Sequence, residues 1–430
     1  MNGAYVGQWD FSPRGGHSFR YDSGWLTNPL GRPLSLSLPT EHGTDPLTGP
    51  RVEAFFDNLL PDSLAIRKRL AQRFGTGVNA IQLLEQIGRD CVGAIQLLPL
   101  DMEPPNIRRI EAKALTDEEV ERTLDQTIEE PIPGLASAPG LRISIAGAQE
   151  KTALLRHQNR WCLPLGPTPT THILKLPLGE VGGVRADFSS SVENEWLCAQ
   201  IARGFDMPVA ACDVAVFGRH KVLVVERFDR RLIESAWWAR LPQEDFCQAL
   251  GVPGEQKYEE HGGPGMSAIL DVLRGSEESE ADRERFLTAQ MLFWLLAAPD
   301  GHAKNFSIFI EPGSRFRLTP LYDIMSAWPI VGDGPRLLQW QKLKLAMAVR
   351  SKSAHYRMAN IQRRHWNVVA KANAVGKDFE PVIQRLIDQT PRVVAAIAAR
   401  LPAGFPTAVS EPILGGLVSQ VKRLSSHAVS

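Results

Sequence analysis

The sequence has no C-x-x-C pair, and its five cysteines (Cys91, Cys162, Cys198, Cys212 and Cys247) are odd in number and widely spaced. That pattern supports neither a zinc cage nor a disulfide framework, and it predicts a reducing, cytoplasmic setting. Long apolar runs are missing too. The longest, Met291 to Ala298, is far too short to span a bilayer, so no membrane partner is expected. The opening Met1-Asn2-Gly3-Ala4 lacks the charged-then-apolar pattern of an export signal. Neither H-E-x-x-H nor G-x-S-x-G occurs, which sets aside metalloprotease and α/β-hydrolase chemistry. No internal repeat or long low-complexity run is visible.

The rest is ordinary globular composition: 430 residues, 43% hydrophobic and 22% charged, enough for two to three domains. Net charge is zero, but unevenly spread. Residues 1–334 carry 33 Lys+Arg against 44 Asp+Glu, whereas residues 335–430 carry 15 against 4. A basic C-terminal segment reads either as a solvated face or as a surface for a polyanion.

Along the chain, Tyr5-Val6-Gly7 and Ser18 to Tyr21 read as strands about a turn at Pro13-Arg14-Gly15-Gly16, and Leu34 to Leu38 alternates like a half-buried strand. Val52 to Phe74 has helical spacing broken at Leu60-Pro61-Asp62-Ser63, where Asp62 or Ser63 can cap the second helix. Residues 102–140 read as a connector with one helix, Thr116 to Thr127. Strands follow at Leu141 to Ile145, Thr152 to Leu155, Thr171 to Leu176 and Val222 to Glu226, with a helix from Val192 to Arg203. A buried helix, Phe286 to Ala298, ended by Pro299, leads to strands Phe306 to Ile310 and Phe316 to Thr319. The remainder to about residue 400 reads as helical. β-rich sequence followed by helix-rich sequence predicts an α+β fold.

Asp300-Gly301-His302-Ala303-Lys304-Asn305 lies between the buried helix and a strand. Its D-x-x-x-x-N spacing is that of a protein-kinase catalytic loop, in which Asp takes the substrate hydroxyl proton and Asn holds Mg²⁺. Asp323, after the strand pair, is placed to be a second oxygen ligand to the same cation. Lys175 sits in an apolar strand, where a lysine is costly unless paired; it matches the lysine that holds ATP phosphates. Glu195, and less readily Glu193, can pair with it. Ser144 to Thr152 is a small-residue loop suited to phosphate oxygens, although it is neither a Walker A loop nor G-x-G-x-x-G. Val224 to Asp229 runs from a strand into a polar step, like the hinge that meets adenine. Each part alone also reads as a plain turn or strand end; it is their order that is kinase-like.

At these residues the chain resembles the HipA family of serine/threonine-kinase toxins from bacterial toxin–antitoxin modules. The motifs run nearly end to end: Arg32 to Pro39, Phe56 to Ser63, Ile87 to Asp90, Ser144 to Leu155, Thr170 to Ile173, Val225 to Arg231, Leu241 to Asp245, Gly262 to Gly265, Asp300 to Ser307, Leu318-Thr319-Pro320 and Tyr322-Asp323-Ile324. The resemblance implies a kinase-like bilobal fold, with an N-terminal module over 1–140 packed on the core, N-lobe elements over 141–235 and a helical C-lobe over 236–430. It implies Asp300 as catalytic base and Asn305 and Asp323 as Mg²⁺ ligands. ATP contacts would come from Ala146, Gly147, Ala148, Gln149, Glu150, Lys151, Lys175, Glu226, Arg227, Phe228, His302, Ala303, Lys304, Asn305, Tyr322 and Asp323. Ser144 matches the serine whose autophosphorylation ejects the loop and silences the kinase.

The same resemblance implies glutamyl-tRNA synthetase as protein substrate, growth arrest and persistence as outcome, and a HipB-like helix-turn-helix antitoxin with which the toxin binds operator DNA. Of the family's two DNA-touching basic positions, Lys371 matches the first, but Ala374 occupies the second; Arg363 and Arg364 could substitute. Two other functions compete with an active kinase. One is a catalytically silent co-repressor bound to the antitoxin, and the other is a phosphohydrolase using Asp300, His302 and Asp323.

Overall fold

Gly7–Ser12 and Gly16–Tyr21 pair antiparallel about the expected turn, and Leu47–Thr48 adds a third strand, in a computed structural model that describes residues 1–100, 102, 105–128, 149–183 and 185–426. Two compact units emerge. One comprises Met1–Leu176, Ala215–Lys257 and Ser307–Phe316, and the other Pro177–Val214, Tyr258–Phe306 and Arg317–Ser430.

In the first unit, the break foreseen near residue 61 separates helices Pro50–Asp57 and Leu64–Phe74. Ser63 caps the second by accepting from the Ile66 amide, and left-handed Gly75 (φ 63°) closes it. Around the hairpin, Phe19, Tyr21, Trp25, Phe55 and Phe56 are buried together with Leu83, Leu84 and Ile87 of helix Ala80–Ile87. The stretch Leu34 to Leu38 is not the strand its alternation predicts; only an isolated bridge joins Ser35 to Leu38. Its polar groups are satisfied by side chains and distant carbonyls instead of a ladder. Tyr21 Oη accepts from the Leu34 amide (2.6 Å) and donates to the Leu38 carbonyl (2.5 Å). Glu244 accepts from the Leu36 amide (2.8 Å), and Ser37 Oγ donates to the Gln248 carbonyl (2.7 Å).

The main sheet orders its strands Cys212–Phe217, His220–Glu226, His172–Lys175, Lys151–His157, Arg160–Pro164 and Ala112–Ala114. The stretch read as a connector therefore supplies an edge strand. Its helix, Asp117–Ile128, packs Val120 and Leu124 against Leu154, Leu174, Leu176 and Val222 on one sheet face. The expected strand Leu141 to Ile145 lies outside the described residues.

The second unit is mainly helical: Ser191–Gly204, Met266–Leu273, Ser279–Leu295, Arg363–Ala372, Glu380–Ala398 and Thr407–Ser426. The buried helix ends earlier than Pro299 predicts. Ala297 takes φ 49°, its amide donates to the Trp294 carbonyl, and the Ala298 amide donates to the Phe293 carbonyl. These are the two bonds of a Schellman terminus with alanine in the position usually left to glycine. A hairpin, Lys344–Arg350 with Ala354–Arg357, interrupts the region read as wholly helical. Among the described residues no helix is long and apolar enough to cross a membrane.

Candidate functional site

The first unit brings together two lysines that the sequence places 24 positions apart. Antiparallel pairing of Lys151–His157 with His172–Lys175 sets Lys151 directly opposite Lys175. Directly opposed residues share a sheet face, and here it is the face away from Leu174 and Leu176, which pack under helix Asp117–Ile128. Two like charges at this spacing repel, and a polyphosphate between or beside them turns the repulsion into attraction. Lys175 is buried; Lys151 is half-buried. The approach to Lys151 is fixed by bonds to the Leu176 main chain: Gln149 side-chain Nε2 donates to the Leu176 carbonyl (2.6 Å), and the Leu176 amide donates to the Glu150 carbonyl (3.1 Å). Glu150 itself pairs with Arg69 at 2.5 Å. Ser144, Ala146, Gly147 and Ala148 lie outside the described residues.

At the end of strand His220–Glu226, Glu226 is exposed and pairs in register with His172. Phe228 stands edge-on to Phe309 at 5.7 Å. The Arg227 side chain, in contrast, is committed to a buried ion network. Its guanidinium donates to Asp229 (2.9 and 3.0 Å), to Thr170 Oγ1 (2.9 Å) and to the Cys91 carbonyl (2.8 Å). Arg230 and Arg240 reach Asp90 at 3.0 Å in the same network. Burial alone would raise the Asp90 carboxyl, but Arg230, Arg240 and Arg227 together hold it far below the usual carboxylate range.

In the second unit, Asp300 follows the Schellman terminus with its side chain half exposed. The loop after it is stitched internally: the His302 amide donates to the Asp300 carbonyl (2.8 Å), and the Asn305 amide to the His302 carbonyl (2.9 Å). Gly301 fits because a Cβ there would sit 2.8 Å from the Phe293 ring, and Gln290 Nε2 donates to its carbonyl (3.1 Å). Asn305 Nδ2 donates to the Asp300 carbonyl at 2.7 Å, which turns its Oδ1 away from that bond and leaves an oxygen donor for a hard cation. His302, Ala303, Lys304 and Asn305 are all buried, with Ala303 fully so. Tyr322 Oη donates to the Lys304 carbonyl (2.9 Å), and Asp323 adopts the left-handed region (φ 59°), which aspartate tolerates better than most residues. Among the described residues no cluster of three or more His, Cys, Asp or Glu could hold a metal alone. Asn305 and Asp323 carry side-chain oxygens of the kind that a hard cation such as Mg²⁺ takes together with phosphate and water oxygens.

Two residues that the sequence did not single out act on this loop. Tyr258 donates its phenol to Asp300 Oδ1 at 2.5 Å. Asn194 clamps the segment after Asp323: its Nδ2 donates to the Ser326 carbonyl (2.7 Å) and its Oδ1 accepts from the Ser326 amide (2.8 Å). Ser326 Oγ in turn donates to the Leu296 carbonyl (2.6 Å) at the end of the buried helix. Tyr258 stands four residues before the Gly262 to Gly265 motif, a local hint. Asn194 is hidden between Glu193 and Glu195, the acids that drew attention.

On helix Arg363–Ala372, Arg363 is buried and bonded to Glu380 and to the Leu424 carbonyl, so it does not present a surface charge as its sequence position suggested. Arg364 and Lys371 are exposed and seven residues apart, on one face. Ala374 follows the helix at φ 54°.

Comparison with known proteins identifies the family and the fold. A model described as the HipA-like C-terminal domain matches residues 143–397, and one described as the HipA N-terminal domain matches residues 1–98. "Putative kinase Y4mE" of Sinorhizobium fredii is 33% identical over 410 residues, covering 92% of this chain and 90% of that protein. The serine/threonine-protein kinase toxin HipA of Shewanella oneidensis is 31% identical over 319 residues, covering 71% and 69%. The solved complex of Shewanella oneidensis HipA, HipB and operator DNA contains a chain that superposes with TM-score 0.78 at 24% identity, over 98% of this chain and 95% of that one, which establishes the α+β fold. With both domain models matched in order and the larger one spanning more than half its length, the chain belongs to the HipA family.

Proposed function

We propose that this chain is an ATP- and Mg²⁺-dependent serine/threonine protein kinase that serves as the toxin of a toxin–antitoxin module. The observation that carries the proposal is the Asp300 loop. Asp300 has a half-exposed carboxylate and a carbonyl that accepts from Asn305 side-chain Nδ2, which leaves Asn305 Oδ1 for a cation. The opposed Lys151 and Lys175 supply positive charge for the triphosphate. In the transfer, the acceptor hydroxyl oxygen bonds to the γ-phosphorus, the bond from that phosphorus to the β–γ bridging oxygen breaks, ADP leaves, and the hydroxyl proton passes to Asp300. Asn305 and Asp323 would hold Mg²⁺, which would supply charge neutralisation on the phosphate oxygens. Under this reading Glu226 and Phe228 meet adenine. The Arg227 side chain is spoken for by Asp229 and Thr170. His302, Lys304 and Tyr322 shape the loop beneath the nucleotide.

Family membership supports the finer assignments: Ser144 as autophosphorylation site, glutamyl-tRNA synthetase as substrate, cytoplasmic action, and growth arrest as consequence. The Shewanella complex contains HipB and operator DNA. By analogy this chain assembles with a HipB-like antitoxin and represses its operon. Arg364 and Lys371 are the exposed cations of helix Arg363–Ala372 that could meet DNA phosphates, contacts that position without reading sequence.

The test is intact-mass spectrometry of the full chain with and without ATP and Mg²⁺, beside Asp300→Asn. One added phosphate, mapped to Ser144 and absent from the variant, is the expected result. No phosphate, together with no thermal shift on adding ATP and Mg²⁺, would replace the kinase with a silent antitoxin-binding co-repressor.

A further inference from the structure

Asp300 has two carboxylate oxygens, and the described residues treat them differently. Tyr258 Oη donates to Oδ1 at 2.5 Å, and His302 Nε2 lies 3.6 Å from the same oxygen. No hydrogen bond from the described residues reaches Oδ2, and the side chain as a whole is half exposed.

The phenol is held from both sides. Its ring meets His302 edge-on at 5.0 Å and His261 at 5.8 Å. Tyr258 opens the short turn Glu259–His261, which is fastened to strand Lys344–Arg350. The Glu259 carboxylate accepts from the Ala348 amide (2.6 Å) and Arg350 Nε (2.8 Å), and Glu260 takes Lys344 Nζ (2.6 Å). Gly265 keeps that seat clear, since a Cβ there would fall 2.4 Å from the Glu259 carboxyl carbon. A hydroxyl delivered by so fixed a frame sets the carboxylate's torsion as well as its neighbour.

We infer that Tyr258 is a positioning residue for phosphoryl transfer: it holds Oδ1 of Asp300 so that Oδ2 alone is presented to the acceptor hydroxyl. The inference rests on the kinase reading of Asp300. Tyr258 does not touch the reacting atoms; it acts through the base.

The test uses the full-length chain, with wild type, Tyr258→Phe and Asp300→Asn compared for ³²P transfer from ATP to the chain itself and to myelin basic protein as generic acceptor. The phenylalanine variant loses one hydroxyl and no ring contact. Its rate should fall about ten- to hundredfold, with the KM for ATP and the Tm unchanged. A rate within twofold of wild type overturns the inference. So does a loss explained by a raised KM or a lowered Tm, because that would mark a structural role only. If wild type and Asp300→Asn are equally silent, the kinase reading fails and takes the inference with it, whereas an active wild type matched by Tyr258→Phe overturns the inference alone. With wild type active, a crystal structure of Tyr258→Phe checks the geometry: an Asp300 carboxylate unmoved from its wild-type rotamer overturns the inference, and a rotated or split carboxylate upholds it.

Discussion

Glu244 has none of its surface exposed, and it stands in strand Gln243–Asp245 beneath the Leu34 to Leu38 turn. One carboxyl oxygen accepts from the Leu36 amide at 2.8 Å, while Oε2 is buried without a hydrogen-bond partner. Burial pushes the carboxyl up from an ordinary 4.5 to about 8, against the opposing pull of the Leu36 amide and the Ser35 hydroxyl. That displacement corresponds to roughly 5 kcal/mol between the two protonation states. Below pH 4.5 both folded and unfolded chains carry the proton, and stability is undiminished. Between 4.5 and about 8 the unfolded chain releases a proton that the folded chain retains, so stability falls by about 1.4 kcal/mol per pH unit. Above 8 the loss is complete. Glu244→Gln keeps an acceptor for the Leu36 amide and cannot ionise. Urea midpoints measured for both proteins from pH 5 to 9 should therefore diverge steadily in favour of the variant up to pH 8 and run parallel beyond it. Curves parallel throughout would refute the assignment of a neutral buried acid.

Two further perturbations probe other parts of the same architecture. Asp90→Ala removes the counter-charge shared by Arg227, Arg230 and Arg240 and should cost about 3–5 kcal/mol, read as a lowered denaturant midpoint; an unchanged midpoint would show that the arginines are satisfied without it. Asn194→Leu keeps the branched shape of the side chain but removes both hydrogen bonds to Ser326. It should raise several-fold the Mg²⁺ concentration at which ATP protects the chain from thermal unfolding, with nucleotide binding in the absence of metal unaltered, and an unmoved Mg²⁺ dependence would detach Asn194 from the Asp323 segment.

What the sequence could reveal depended on how far each residue's partners lie along the chain. The Ser63 cap acts three residues away on Ile66, and helix Leu64–Phe74 was legible. Strands Lys151–His157, His172–Lys175 and His220–Glu226 show as short apolar and β-branched runs, and Lys175 stood out because a charge interrupts one of them. Leu34 to Leu38 alternates, but its amides find Tyr21 and Glu244 and its serine hydroxyls find the Gln248 carbonyl, up to 213 positions distant, so periodicity pointed to a ladder that does not form. Strand Lys344–Arg350 failed for the opposite reason. Leu345 through Val349 are all buried, so both faces are apolar and no period-two signal remains to separate it from a buried helix. Arg363 looked like a free surface cation until Glu380, seventeen residues later, supplied its partner. Tyr258 and Asp300 are 42 positions apart, and no local pattern joins them.

The buried ion network ties the N-terminal domain to the main sheet at the strands around Lys175. Asp90, eight residues before the end of the N-terminal family match, accepts from the Thr170 amide (2.9 Å) and hydroxyl (2.7 Å), just ahead of strand His172–Lys175. The Arg227 amide donates to the Thr171 carbonyl (2.9 Å), and Arg230 Nε to the Thr170 carbonyl (3.2 Å), immediately after strand His220–Glu226. Gly93 joins from the N-terminal side, its amide bonded to Asp229 (2.8 Å) and its carbonyl to Arg230 (2.8 Å). The network therefore grips the entry of the strand that carries Lys175 and the exit of its sheet neighbour at one point. Apolar side chains of the same volume could fill this seam at equal or lower free-energy cost, since desolvating so many charges offsets most of their attraction. Apolar contacts, however, tolerate sliding, and a one-residue slip of strand His172–Lys175 would turn Lys175 to the opposite face, away from Lys151. Directional hydrogen bonds between fixed carboxylates and planar guanidinium groups allow one register only. On this argument the N-terminal domain sets the register that places Lys175 across from Lys151, and under the proposed kinase function it would contribute to nucleotide binding in that way alone.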